Sequence, residues 1–156
     1  MEKNINLSKF IATLSILFYI CLQSQITYAN EYKLRFIDVK NGLSQNTINK
    51  IYEDKFGLIW VATNDGLNRF ENGKIEVFYS DLEGFCSLKS DRIVDLKEDN
   101  QNRLWLATYE TGISFYDYKN NCFNNIEIQY KNNQELIKSI DIDTVESILW
   151  VATGGG

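Results

Sequence analysis

Ile59-Trp60-Val61-Ala62-Thr63 recurs as Leu104-Trp105-Leu106-Ala107-Thr108, and again as Leu149-Trp150-Val151-Ala152-Thr153. The chain holds three tryptophans, all within this pentapeptide and 45 residues apart both times. A period of that size marks a repeat architecture, in which each unit buries its apolar face only against its neighbours. The Trp segments are apolar at nearly every position rather than every second one. A strand of that kind must be covered on both faces. A single sandwich leaves one side polar, whereas the inner strands of blades packed face to face are covered twice.

Around each Trp segment the sequence reads as short strands separated by turn residues. In the first repeat Thr47 to Glu53 alternates, Asp54-Lys55-Phe56-Gly57 is a turn, and Leu58 to Thr63 follows. Asn64-Asp65-Gly66 makes the next turn, and Leu67 to Phe70 leads through Glu71-Asn72-Gly73 into Lys74 to Ser80, a hairpin signal. The second repeat runs Arg92 to Glu98, Arg103 to Thr108, Ile113 to Lys119 and Cys122 to Ile128, with turns at Asp99 to Asn102, Tyr109 to Gly112 and Asn120-Asn121. Four strands in about 45 residues is the size of a propeller blade. The expected fold is therefore all-β: four-stranded antiparallel β-propeller blades. Residues 47–91 form blade 1, 92–137 blade 2, and 138–156 the first half of blade 3.

The repeat also assigns structural roles. Asp54 and Asp99 lie six residues before their Trp, and Gly57 lies three before the first. A turn carboxylate there accepts backbone N–H bonds, and Gly supplies a positive φ. A calcium loop would need alternating oxygens and a distal bidentate Glu, which neither turn offers. Thr63, Gly66, Thr108, Gly112 and Thr153 complete the repeated positions around Trp60, Trp105 and Trp150. The third repeat has no turn Gly or Asp in register, and its turn is one residue shorter.

Of the 156 residues, 44% are hydrophobic, 13% aromatic and 24% charged, which excludes wholesale disorder. A formal charge of -5 carries no basic footprint for nucleic acid. The chain contains no His, which removes His-based metal sites, Ser-His-Asp and Cys-His nucleophiles, and any phosphoaccepting His. No metal site and no cofactor is expected.

Residues 1–29 read as a signal peptide. Lys3 and Lys9 precede an uncharged apolar run from Phe10 to Leu22, too short to span a bilayer comfortably. Thr27-Tyr28-Ala29 then fits cleavage after Ala29. An uncleaved anchor or a buried helix is the alternative. Cys21 follows Tyr19-Ile20, where a lipoprotein signal wants a small residue. Cleavage takes away two positive charges and one negative, so that -5 becomes -6. The mature segment is acidic, exported and free of membrane contact. Two cysteines remain in it, Cys86 and Cys122. They are open to a disulfide or to two partly buried thiols. The thiols are favoured, since disulfide-dependent folds usually use more cysteines.

Asn41-Gly42-Leu43-Ser44, the run Asp54-Lys55-Phe56-Gly57-Leu58-Ile59-Trp60-Val61-Ala62-Thr63, and Gly66-Leu67-Asn68-Arg69-Phe70 together resemble the two-component-regulator propeller repeat. The resemblance covers roughly 32–156. It implies the periplasmic sensor of a hybrid two-component histidine kinase, or of some diguanylate cyclases. An external ligand, a small molecule or an oligosaccharide, would be detected and its binding relayed across the membrane. It further implies that residues 30–46, with Tyr32 to Val39 as a strand, close the last blade of the ring. The remaining blades of the same protein, and a second copy in a homodimer, are the partners it implies. This chain is then not itself an enzyme. The rim made by the second-to-third-strand turns and the inter-blade links becomes the ligand side, with Asn64, Asp65, Tyr109 and Glu110 as candidates beside Asn41 to Asn46. The competing account is ordinary turn chemistry, which needs no ligand. The aromatic stripe of Phe70, Phe78, Tyr79, Phe115, Tyr116 and Tyr118 is assigned to packing.

Two other classes compete. An exported propeller lyase or sialidase-like hydrolase would use paired carboxylates without His. Against it, the Asp-to-Trp spacing is one longer than the sialidase Asp-box, and the mature chain has only Arg35, Arg69, Arg92 and Arg103. A scaffold propeller would bind a protein through its rim.

Overall fold

The computed structural model describes residues 7–23, 33–109, 112–126, 128 and 136–154. The chain divides into two compact units, Met1–Arg35 and Phe36–Gly156. The first contains α1 (Leu7–Gln23), whose side chains from Ile11 to Tyr19 are all exposed. Among the described residues no helix is long and apolar enough to cross a membrane. The cleavage position after Ala29 lies outside the described residues.

The second unit is built of antiparallel sheets. β1 (Ile48–Glu53), β2 (Ile59–Thr63), β3 (Leu67–Glu71) and β4 (Lys74–Phe78) pair in sequence order. β5 (Ile93–Glu98), β6 (Arg103–Thr108), β7 (Gly112–Asp117) and β8 (Cys122–Ile126) do the same. β9 (Ile137–Asp143) and β10 (Ile148–Thr153) form a two-stranded sheet. The strands begin and end within two residues of those marked by the alternation. Lys33 to Asp38 pair with no described strand, and Val39–Asn41 form a short 3-10 helix. Asp38 caps that helix by accepting from Lys40 N, and Gly42 closes it at φ 103°. An extended segment is held as a strand only where an open sheet edge meets it, and no described strand pairs with this one.

Burial explains the doubly apolar Trp strands. Trp60, Ala62 and Leu67 of the first sheet pack with Ile93, Leu96, Leu104, Leu106, Tyr116 and Phe123 of the second. Ala107 and Ile113 then meet Ile137 and Ile140 of the third. Each core is therefore an interface between neighbouring sheets rather than the interior of one. Trp60 is fully buried, whereas Trp150 on the third sheet is 62% exposed. The aromatic stripe is largely packing: Trp60 lies 5.2 Å from Tyr116 and 5.8 Å from Phe78, centroid to centroid. Ion pairs zip the inner strands together. Lys50 Nζ meets Asp95 Oδ1 at 2.9 Å, and Lys97 Nζ meets Asp141 Oδ1 at 2.9 Å, each bridging one sheet to the next.

The turn carboxylates are acceptors for whole turns. Asp54 Oδ1 accepts from Phe56 N and Leu58 N, and its Oδ2 accepts from Trp60 Nε1 at 2.8 Å and Tyr118 OH at 2.7 Å. Asp99 Oδ1 accepts from Gln101 N and Arg103 N, and its Oδ2 from Trp105 Nε1 and Arg103 Nε. Gly57 has φ 78°, and Asn102 takes the same left-handed place at 66°. The third turn is built although its Gly and its aligned Asp are missing. Ser147 adopts φ 58°, and Asp143, seven residues before Trp150, accepts from Val145 N and Glu146 N.

The cysteines correct the sequence reading. Cys86 and Cys122 are bonded, S–S 2.17 Å and Cα–Cα 4.6 Å, rather than two separate thiols. Phe123 N donates to Cys86 O, so the inter-blade link lies directly beside β8 and brings the sulfurs together.

Candidate ligand rim

The β2–β3 and β6–β7 turns, the start of each inner strand and the inter-blade link converge on one end of the sheets. Local chemistry shapes the turns. Thr63 Oγ1 donates to Gly66 O at 2.8 Å, and Thr108 Oγ1 donates to Gly112 O at 2.7 Å. Gly66 and Gly112 have φ 107° and 104°, where a side chain is strained. A Cβ on Gly66 would also stand 3.1 Å from Phe78 O. Gly66 N donates to Asp91 O, which ties the turn to the following link.

Each inner strand carries an irregularity at this end. The register shifts between Ile48 and Lys50, and between Ile93 and Asp95. On the third sheet, Ala152 pairs Ser139 while Thr153 pairs Ile137. One residue is left out of the ladder each time: Asn49, Val94 and Lys138. A bulge of this kind re-aims a side chain. Asn49 Nδ2 donates to Asn64 Oδ1 at 2.8 Å and reaches Ile93 O of the next sheet at 2.7 Å. Lys138 Nζ lies over the Tyr109 ring, 5.3 Å from its centroid.

The structure separates the candidates. Asn64 and Tyr109 hold equivalent places, each directly after the Thr that ends its Trp strand. Asn64 spends its oxygen on Asn49, and Asp65 is exposed. Tyr109 is half-buried, with the Arg92 guanidinium stacked 3.5 Å from its ring centroid. Glu110 lies outside the described residues. Much of Asn41 to Asn46 is used internally. Asn41 Oδ1 accepts from Asp38 N, Asn46 Oδ1 from Val39 N, and Ser44 N donates to Asn68 Oδ1. Sequence reasoning missed Arg92, Lys138 and Asn49. A bulge leaves the apolar alternation almost intact, which hides Asn49 and Lys138, and Arg92 lies in the link before β5 rather than in a strand.

The opposite end of the sheets is carboxylate-rich. Asp99 is pushed up by burial, but donation from Trp105, the Arg103 backbone and the Arg103 side chain outweighs this and holds it below the usual carboxylate range. Burial, then the nearby charge of Asp54, pushes Glu98 up, against the opposing bond from Lys55 N. Burial and Asp54 also push the Tyr118 hydroxyl far up, so it stays a proton donor. None of these groups is arranged for hydrolysis. Asp54 is committed through both oxygens, while Glu98 Oε1 is enclosed and its Oε2 accepts from Lys55 N. A cavity of about 40 Å³ at this end lies between Asp99, Trp105, Ile142 and Leu149. Among the described residues no group of three or more Cys, Asp or Glu converges to hold a metal ion.

The model of the two-component regulator propeller matches residues 42–65 and 87–110. A 48-residue stretch is 38% identical to "Histidine kinase P4" of Formosa agariphila, covering 31% of this chain and 4% of that protein. Two solved extracellular domains ascribed to hybrid two component systems of B. thetaiotaomicron have the same arrangement. That of BT3049 gives a TM-score of 0.61 at 27% identity, over 79% of this chain and 17% of that chain. That of BT4673 gives 0.61 at 25% identity, over 78% and 17%. The chain thus spans a small part of the proteins it matches. Its all-β fold is that of propeller blades, and residues 42–65 and 87–110 carry the two matches to the two-component regulator propeller model.

Proposed function

We propose that this chain is the N-terminal sector of an extracytoplasmic propeller that senses an external ligand, a carbohydrate, for a hybrid two-component histidine kinase. Residues 1–29 direct export and are cleaved after Ala29. Residues 30–46 close the ring against its last blade, 47–91 and 92–137 are complete blades, and 138–156 begin a third. The sensing chemistry is binding, and the phosphotransfer belongs to a separate output domain. The observation that carries the reading is the likeness, over most of this chain, to extracellular domains of hybrid two-component systems. The commitment of Asp54 and Asp99 to hydrogen bonds within their turns supports a binding role over a hydrolytic one. The test is calorimetry of the complete extracytoplasmic region against a set of oligosaccharides, with product analysis of each mixture. Saturable binding without conversion is the expected result. Turnover of a glycan would replace the sensor with an enzyme, and capture of a protein alone would replace it with a scaffold.

A further inference from the structure

The rim contains a cationic cluster that neither the turn chemistry nor the packing uses. Arg92 ends the inter-blade link, Tyr109 follows β6, and Lys138 is the bulged residue of β9, so three segments of two repeats supply it. The Arg92 guanidinium stacks at 3.5 Å on the Tyr109 ring, which leaves its N–H edge available for an in-plane acceptor. Lys138 Nζ stands 5.3 Å from the same ring centroid. Both cations are exposed, and among the described residues neither has a carboxylate within ion-pair distance. Lys50, Lys97, Arg69 and Arg103 are all paired with acids.

The third repeat is also shaped to let Lys138 lie there. The place held by Asn64 and Tyr109 in the first two repeats is Gly154 in the third. A Cβ on Gly154 would stand 3.2 Å from Lys138 Cε. The missing side chain is the space through which the lysine passes. Two cations held on one aromatic ring with no acid paired to them among the described residues, in a chain of formal charge -5, concentrate positive charge locally rather than as part of a general basic surface.

We propose that Arg92, Tyr109 and Lys138 bind the acidic group of a charged saccharide, a uronate carboxylate or a sulfate ester. Arg92 donates to it in a bidentate fork, Lys138 supplies the second charge, and Tyr109 orients both cations rather than stacking a sugar face. The saccharide part rests on the sensing function proposed above; the anion part rests on the cluster itself.

The test is calorimetry of the complete extracytoplasmic region with four probes: a glucuronate-containing oligosaccharide, a sulfated oligosaccharide, a neutral oligosaccharide and inorganic sulfate. The expected result is binding of one or both acidic oligosaccharides, weakened about tenfold by Arg92→Gln and again by Lys138→Gln. Raising the salt from about 50 to 300 mM should weaken it further. Gly154→Ala retains every charge but crowds Lys138, and should weaken the acidic ligand alone. Far-UV circular dichroism checks that the variants stay folded. The carboxylate and sulfate arms identify which acid is read. Inorganic sulfate binding as tightly as the sulfated sugar would support an anion site while removing the saccharide. Binding of the neutral oligosaccharide unaffected by either variant would overturn the anion site and leave the sensor reading standing. Acidic binding that both variants leave intact would overturn it too.

Discussion

Replacing Asp54 by Ala should be far more damaging than replacing Asp99, although the two occupy the same place in successive repeats. Asp54 is 4% exposed and serves four donors. One of them, the Trp60 indole N–H, belongs to a residue with no exposure, so without Asp54 it has neither partner nor water. A buried orphan of that kind costs about 1–3 kcal/mol, and the bonds from Tyr118 and the two turn amides add to it, so the expected loss is about 4 kcal/mol. Trp105 and the Arg103 side chain are part-exposed, so water replaces much of what Asp99 provides, and Asp99→Ala should lose about 2 kcal/mol. Asp54 also reaches across sheets to Tyr118, 64 residues away. A double-mutant cycle with Tyr118→Phe should therefore show coupling of about 1 kcal/mol. Urea unfolding at pH 7, followed by tryptophan fluorescence, reads the parent and the four variants. Equal losses for the two aspartates, or no coupling to Tyr118, would refute the reasoning that burial and cross-sheet bonding set the effect.

Other expectations follow from single contacts. Replacing Cys86 and Cys122 by Ser opens a loop of 36 residues, and should lower stability by about 3–4 kcal/mol, read as a lower urea midpoint. Asp95 is pushed up by burial but held below its ordinary value by Lys50, Ile140 N, Ser139 and Leu96 N. Its stabilising contribution is thus present above the unfolded carboxylate range, near pH 4, and is lost as pH falls through the folded value. Asp95→Asn should lose about 2–3 kcal/mol at pH 7, with the deficit shrinking below about pH 4. Glu98 has the opposite sign: burial raises it, so its contribution is present at low pH and lost as pH rises. Glu98→Gln should match the parent near pH 3 and exceed its stability at pH 7; a deficit at pH 7 would contradict the raised value. Gly66→Ala forces a side chain into φ 107° against Phe78 O, and should lower the thermal midpoint with a loss of about 1–3 kcal/mol.

The fold was legible because the Trp strands announce double coverage, and a period of 45 residues leaves one economical way to supply it. The turn aspartates were legible for the same reason: a carboxylate at a fixed distance before a repeated Trp has a fixed set of donors. What escaped were features that depend on how separate segments lie together. Counting cysteines favoured free thiols, but the pairing depends on the link at Cys86 running beside β8, which no count contains. The third turn looked unsupported because Asp143 is one place out of register and Ser147 replaces Gly57, yet backbone donors accept either arrangement. Tyr32 to Val39 alternates as a strand does, but a strand is completed only by the edge it meets, and no described strand pairs with this segment. On the rim, Asn64 and Tyr109 were reachable as candidates through the propeller rim that the resemblance implies. Arg92 and Lys138 were not, because their meeting on Tyr109 is made by a bulge and by the space at Gly154.

The most direct test of the sensor account is to sequence the gene through the codon for Gly156 and beyond. The account predicts further Trp repeats at about 45 residues, then a membrane helix and a kinase or cyclase domain in the same frame. A frame that instead ran into a hydrolase or lyase catalytic domain, with no membrane helix, would contradict it.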